Sequence, residues 1–161
     1  MSMIIDGTNG LTFNNATTQA SAGSVLQVVQ GTLGTTVTTA SSTYSDTGLT
    51  ATITPKFSTS KILVLSTIAC CGKYSGNTSL ALRVVKNGSV LLYWDDGFGY
   101  NNTTAQITAQ AALNYLDSPA TTSALTYKIQ YASQANVANA IINNSNGAGA
   151  ISTITLMEIA G

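Results

Sequence analysis

The stretch SLALRVVKNGSVLLYW, residues 79–94, decides the fold of this chain. Its Asn87-Gly88 dipeptide favours a two-residue type I′ turn, and the flanking residues are rich in β-branched and aromatic side chains. The stretch therefore predicts a β-hairpin. The predicted pairs across the turn are Val85 with Val90, Val84 with Leu91, Arg83 with Leu92 and Leu82 with Tyr93.

Both faces of this predicted hairpin are apolar. One face carries Leu80, Leu82, Val84, Leu91 and Tyr93; the other carries Ala81, Val85, Val90, Leu92 and Trp94, interrupted by Arg83. A β-sandwich buries one face of each sheet, so the second face needs other cover. A second apolar face favours a trimer with Val85, Val90 and Leu92 at its interface, since burying one such side chain contributes about 1.5–3 kcal/mol. The alternative is a monomer covered by its own N-terminal segment.

The flanking segments also predict strands. KILVLSTIACCG (61–72) is nearly continuous in apolar residues, as in a strand buried on both faces, and LTYKIQYAS (125–133) alternates. Residues 105–116 are alanine-rich, but their threonine, isoleucine and tyrosine favour a strand over a helix. ISTITLMEIA (151–160) predicts a closing strand at the centre of a sheet. Turns are predicted at 46–48 and 117–119, and a flexible loop at 143–150.

Composition agrees with an all-β fold. The chain has 161 residues, of which 44% are hydrophobic and only 7% are charged, with a net charge of zero. Threonine, serine, asparagine and glutamine supply the polarity in place of charge. We predict a jelly-roll-like β-sandwich head over residues 25–161. Residues 1–24 contain too few apolar side chains for a core of their own and predict an extended N-terminal arm that attaches to another surface.

The segment YWDDGFGY, residues 93–100, contains the most conspicuous group of polar and aromatic residues. A functional interpretation makes it a loop that contacts a ligand, such as a sugar, or holds calcium. The structural alternative is an acidic loop whose aromatic side chains pack in the head. Calcium takes six to eight oxygen ligands, and only two carboxylates are present here. The candidate contact residues are Trp94, Asp95, Asp96, Phe98 and Tyr100.

Several function classes are disfavoured by the sequence. The chain has no histidine, the commonest general base and metal ligand, and no phosphate-binding loop, so we expect neither an enzyme nor a cofactor. The six basic residues are scattered, which argues against nucleic acid, and no apolar run approaches the length of a membrane span. Cys70 and Cys71 are adjacent, so we expect reduced, buried residues that form neither a disulfide nor a zinc site.

Three segments resemble virion proteins of tailed bacteriophages, in particular short tail-fibre and tail-tip proteins. They are MIIDGTNGLTFNNATTQASAGSVLQVVQ (3–30), TGLTATITPKFSTSKILVL (47–65) and STITLMEIA (152–160). The layout of ILVLSTIA (62–69), LALRVVKNGSVLLYW (80–94) and LTYKIQYAS (125–133) is similar to that of compact trimeric jelly rolls of the C1q and tumour-necrosis-factor type. The resemblance implies a homotrimer on a phage particle, docked to other virion proteins through its arm and carrying a distal β head.

The expected function is therefore that of a structural protein on the surface of the virion, made in the cytoplasm of the bacterial host. As a tail fibre or receptor-binding tip, it would contact a host glycan or protein through loops 95–102 and 143–150. The alternative is a capsid decoration protein that stabilises the phage head. No membrane insertion is expected for either role.

Overall fold

The fold is all-β in a computed structural model that describes residues 25–134, 138–144 and 149–161, together with the backbone of three short strands near the N-terminus. No helix occurs in this described part. The strands are β1 (Ile4–Asp6), β2 (Gly10–Thr12), β3 (Thr18–Gln19), β4 (Val25–Leu33), β5 (Val37–Thr39), β6 (Ser45–Ile53), β7 (Lys61–Lys73), β8 (Leu80–Lys86), β9 (Ser89–Phe98), β10 (Ile107–Asp117), β11 (Leu125–Ser133), β12 (Ala140–Ile142) and β13 (Ser152–Ile159).

Two antiparallel sheets form the head. Sheet 1 has the order β4-β13-β7-β12-β5, and β10 pairs with the other edge of β7; sheet 2 has the order β6-β11-β8-β9. Most neighbouring strands within a sheet are therefore distant in sequence, and the chain crosses repeatedly between the two sheets, as in a jelly roll. The prediction of a jelly-roll-like β-sandwich is confirmed.

The core lies between the sheets and follows the period of two along each strand. In β13, and in β11 as far as Tyr131, alternate residues are buried and the intervening ones are partly exposed. Sheet 1 contributes residues such as Ile62 and Leu156, and sheet 2 residues such as Leu82 and Tyr127, all of which are fully buried. The tyrosine hydroxyl donates a hydrogen bond to Asp117, at 2.7 Å, which joins the sheets.

Most predicted elements are confirmed. Residues 61–73 and 125–133 are strands, residues 107–117 form a strand rather than a helix, and the closing strand β13 lies between β4 and β7. The hairpin turns at Asn87 and Gly88, whose φ angles of 48° and 87° are those of a type I′ turn.

The predicted pairing beyond this turn is wrong. Val85 pairs with Val90 as expected, but Val84 pairs with Leu92 and Arg83 with Tyr93. An extra residue near the turn shifts the register by one, and a second irregularity follows between Arg83 and Leu82. Each bulge moves the later side chains of β9 to the other face.

This shift changes which side chains are uncovered. Val85 is only 4% exposed within the single chain, and Leu92 packs against the core, whereas Val90 is 42% exposed. Tyr93, expected inside, is 66% exposed. The premise that Val85 and Leu92 lie on an uncovered face is therefore wrong.

One predicted turn differs, and one predicted loop is held by specific contacts. Residues 46–48 lie within β6, where a bulge opposite Lys128–Gln130 and the positive φ of Gly48 replace the expected turn. Asn143, assigned to a flexible loop, is 1% exposed. Its side chain donates to the carbonyls of Leu33 and Thr35 and accepts from the Ser152 hydroxyl. Residues 145–148 of that predicted loop lie outside the described residues.

In the N-terminal segment, β1, β2 and β3 form a separate three-stranded antiparallel sheet, in which Ile5 pairs with Leu11. Most of the predicted arm lies outside the described residues.

Candidate functional site

A cleft of about 380 Å³ opens on the outer face of sheet 2, beside the end of β11. This size is within the range of about 300–1,000 Å³ that is usual for small-ligand sites. The cleft is lined by Ser42, Tyr44, Ala81, Tyr93, Asp96, Ala132, Ser133 and Gln134.

The strand register explains the shape of this cleft. Ala81 and Ala132 face one another across β8 and β11, and both are buried. Their methyl groups leave room above the sheet where larger side chains would fill it. Tyr93 stands on β9 at one side, and Tyr44 precedes the first residue of β6 at the other. Two small residues on the central strands, flanked by a tyrosine from each side of the sheet, thus make the outer surface concave.

The two tyrosines are held by contacts with each other and with a cation. Their ring centroids are 6.0 Å apart at an interplanar angle of 64°, an edge-to-face arrangement. The guanidinium carbon of Arg83 lies 4.2 Å from the centroid of Tyr44, a cation–π contact. The Arg83 Nε also donates to Gln130 Oε1 at 2.8 Å, which fixes the guanidinium below the cleft.

A carboxylate and an amide complete the rim. The Gln134 amide donates to the Asp96 carbonyl at 2.7 Å and also contacts the Asp96 carboxylate. Burial raises the pKa of Tyr44, and the negative charge of Asp96 raises it further against the opposing effect of Arg83. The Tyr44 hydroxyl therefore remains protonated at neutral pH. The cleft offers ring surface, hydroxyl groups, an amide and one carboxylate to a ligand.

Of the predicted contact residues, one lines the cleft. Asp96 does so, whereas Trp94 and Phe98 pack against the core. The Asp95 carboxylate accepts a hydrogen bond from the Gly97 backbone N–H at 2.9 Å. Tyr100 is 60% exposed but is not among the residues that line the cleft.

Sequence reasoning missed Tyr44, Tyr93 and Gln134 as site residues. Tyr93 was assigned to the core because the bulges in β9 were not anticipated. Tyr44 and Gln134 are about 50 and 40 residues from Tyr93 and Asp96 in sequence. Strand pairing alone brings these residues together, and no local sequence motif indicates that they are neighbours.

Titratable groups also occur inside the head, where they have structural partners. Lys73 is fully buried, and its ammonium group donates to the carbonyls of Asn101 and Thr103 and to the Asn101 side chain. Asp117 accepts from Lys86 at 2.7 Å. Both cysteines are free, and burial raises the pKa of Cys71 to about 12. Within the described ranges, no three histidine, cysteine or acidic residues lie together as a metal site.

The outer face of sheet 1 is a second distinctive surface. Registered residues form three rows without charge across β4, β13, β7 and β10, and the next row of the same face, Val25, Ile159 and Lys61, carries one charge at Lys61. We call the area of the three rows the uncharged face. Its rows are Val28, Met157, Leu63 and Leu116; Gln30, Thr155, Leu65 and Asn114; and Thr32, Thr153, Thr67 and Ala112.

The first of these rows is apolar and accessible. At its two ends, Val28 is 55% and Leu116 is 47% exposed, while Met157 and Leu63 between them are partly exposed. An apolar row that spans four strands is an uncommon feature of a free surface and is typical of contact sites.

Among the residues that the structure describes, there is no apolar helix of membrane-spanning length. No family model matches the chain, and no curated protein matches it. Among solved structures, a chain of dimeric latent PorU from Porphyromonas gingivalis is similar at a TM-score of 0.38 and 11% identity. The match covers 98% of this chain but only 14% of that chain.

Proposed function

We propose that this chain is a structural protein of a phage virion, a homotrimeric tail fibre or receptor-binding tip that contacts the host surface. The sequence resemblance to tail-fibre and tail-tip proteins supports the phage assignment. The observation that carries the proposal is the placement of two unlike surfaces on opposite sheets of one sandwich. The uncharged face lies on sheet 1 and the cleft lies on sheet 2.

The uncharged face supports contact between copies of the chain. A surface without charges approaches its own copy without like-charge repulsion, whereas a charged surface needs a complementary partner. Burying Val28 and Leu116 against neighbouring subunits removes their apolar side chains from water, at about 25 cal/mol per Å². In this assembly the subunits contact one another through sheet 1, and not through the hairpin residues Val85 and Leu92.

The cleft supports contact with a host molecule. Because it opens on sheet 2, packing of sheet 1 against other subunits leaves it accessible. A trimer presents three copies of the cleft, and several weak contacts made together increase the strength of attachment. Such a role requires no catalysis. Residues 1–24 are assigned to attachment to other virion proteins.

The test is to locate the protein on intact particles and to measure its effect on adsorption. Antibody labelling in electron microscopy is expected to mark the tail or its fibres, and purified protein added in excess is expected to reduce adsorption of the phage to its host. A protein that co-purifies with empty heads and leaves adsorption unchanged would instead be the capsid decoration protein. Absence from both tails and heads would refute a virion role.

A further inference from the structure

We propose that the cleft lined by Tyr44, Tyr93 and Asp96 is a binding site for a neutral saccharide. This inference rests on the proposed function in that it names the host molecule that the head would contact. It departs from the sequence-based expectation, because the residues that bind the ligand lie mainly outside the loop around Trp94 and Tyr100.

The aromatic side chains provide the first requirement. A pyranose ring has one face of C–H groups that packs against an aromatic ring, while its hydroxyl groups point outward. Tyr93 is 66% exposed and is held at a fixed angle by the edge-to-face contact with Tyr44. Its ring is therefore accessible and already oriented, which lowers the entropic cost of binding.

The polar side chains provide the second requirement. Sugar hydroxyls both donate and accept hydrogen bonds, so a carboxylate and an amide placed together at one rim complement them. Asp96 and Gln134 are joined at this rim by the contact from the Gln134 amide. Hydrogen bonds to an ionised acceptor such as Asp96 are stronger than those between neutral groups.

Charge selects among saccharides. Among the described residues that line the cleft, Asp96 alone is a carboxylate, and its negative charge contributes to the raised pKa of Tyr44. The Arg83 guanidinium keeps its charge, but its effect at Tyr44 is smaller than that of Asp96 and it is not among the lining residues. A uronic or sialic acid would place a second negative charge beside Asp96, whereas a neutral sugar would not.

The base of the cleft is rigid. Ala81 and Ala132 are 1% and 2% exposed and pair with each other in the sheet, which holds this base in place beneath the tyrosines. Because both lie on paired strands, the base of the site is fixed by the sheet. The site is preformed in the free protein, as ligand sites usually are.

The experiment measures binding of the full chain to immobilised glucose, galactose, mannose and N-acetylglucosamine, with glucuronic acid and sialic acid as anionic probes. We expect binding to at least one neutral sugar and at least tenfold weaker binding to the anionic probes. Tyr93→Ala and Asp96→Asn are expected to weaken neutral-sugar binding by tenfold or more. Tyr100→Ala is the matched control, since Tyr100 is similarly exposed but lies outside the cleft, and it is expected to bind as the unaltered chain does.

Two results of the binding measurements would overturn the inference: no binding to any of the four neutral sugars, or equal losses from Tyr93→Ala and Tyr100→Ala. Folding of each variant is checked by its unfolding midpoint, and Tyr93→Phe, which keeps the ring, is expected to retain most of the binding. Adsorption assays separate this inference from the virion role. If purified Tyr93→Ala protein still blocks phage adsorption fully, the saccharide site is refuted and the virion role stands. If the protein binds neutral sugar but is absent from phage particles, the virion role is refuted and the saccharide site stands.

Discussion

Gly31 is a residue at which β4 of sheet 1 lies close against the backbone of sheet 2. A Cβ atom built at this position would lie 1.9 Å from the Thr50 carbonyl oxygen on β6. That oxygen belongs to a paired strand and has little freedom to move. Glycine is required here by space, because any side chain would force the two sheets apart at this edge.

We therefore expect Gly31→Ala to destabilise the head by about 1–3 kcal/mol, the usual cost of overpacking. Denaturant unfolding followed by circular dichroism measures this loss. Gly34→Ala is the matched control, since nothing lies within 4 Å of a Cβ atom built there. Its stability is expected to change by less than about 0.5 kcal/mol. Equal losses of stability from the two substitutions would show that the close approach of Gly31 to Thr50 does not cause the loss.

At the scale of elements, Glu158 joins β13 to two neighbouring segments. Its carboxylate accepts from the Gln27 side chain on β4 and from the Lys56 backbone N–H after β6, each at 2.6 Å. Burial by itself raises the pKa of Glu158, but hydrogen bonds to the ionised form outweigh this effect and lower the pKa below its ordinary value of 4.5.

Glu158→Gln replaces one acceptor with a donor and is expected to destabilise the head by about 1–3 kcal/mol at pH 7. Because the folded-state pKa is lowered, this stabilisation is fully present above the unfolded-state value and is lost as the pH falls through the folded-state value. The difference in unfolding free energy between the unaltered chain and the variant should therefore shrink below about pH 4.5. A difference that is constant from pH 7 to pH 3 would contradict this assignment.

The strands could be predicted from the sequence because their signals are local. The alternation of residues 125–133 and the Asn87-Gly88 turn depend only on neighbouring residues, and both predictions are confirmed. The pairing of Tyr93 could not be predicted, since the bulges in β9 depend on packing against the rest of the sheet. A shift of one residue moved Tyr93 from the expected core to the rim of the cleft.

At the scale of the whole molecule, the sequence predicted an accessible apolar surface on the hairpin, whereas the structure has an accessible apolar row on sheet 1. The row from Val28 to Leu116 comes from four strands that are far apart in the chain and become neighbours only in the jelly-roll order. The cleft has the same origin, because Tyr44 and Gln134 reach Asp96 through pairing within sheet 2. Such surfaces follow from topology, which local patterns do not specify.

The uncharged face predicts how self-assembly responds to added charge. Placing lysine at Val28 and Leu116 together would bury two ammonium groups per subunit in the proposed contact, at a high desolvation cost. Both native side chains are about half exposed in the single chain, so the fold itself should tolerate the change. Phe57→Lys is the matched control, because Phe57 is 56% exposed and lies outside the three rows.

Sedimentation velocity at micromolar concentration measures the outcome. The unaltered chain and Phe57→Lys are expected to sediment as trimers, and the double lysine variant as a species near the monomer mass of 16.5 kDa. The concentration needed for assembly should rise at least about tenfold, which corresponds to about 1.4 kcal/mol. Val28→Ala with Leu116→Ala should weaken assembly less, because it removes apolar area without burying charge. An unaltered chain that is monomeric under these conditions, or a lysine variant that remains trimeric, would exclude the uncharged face as the contact between subunits.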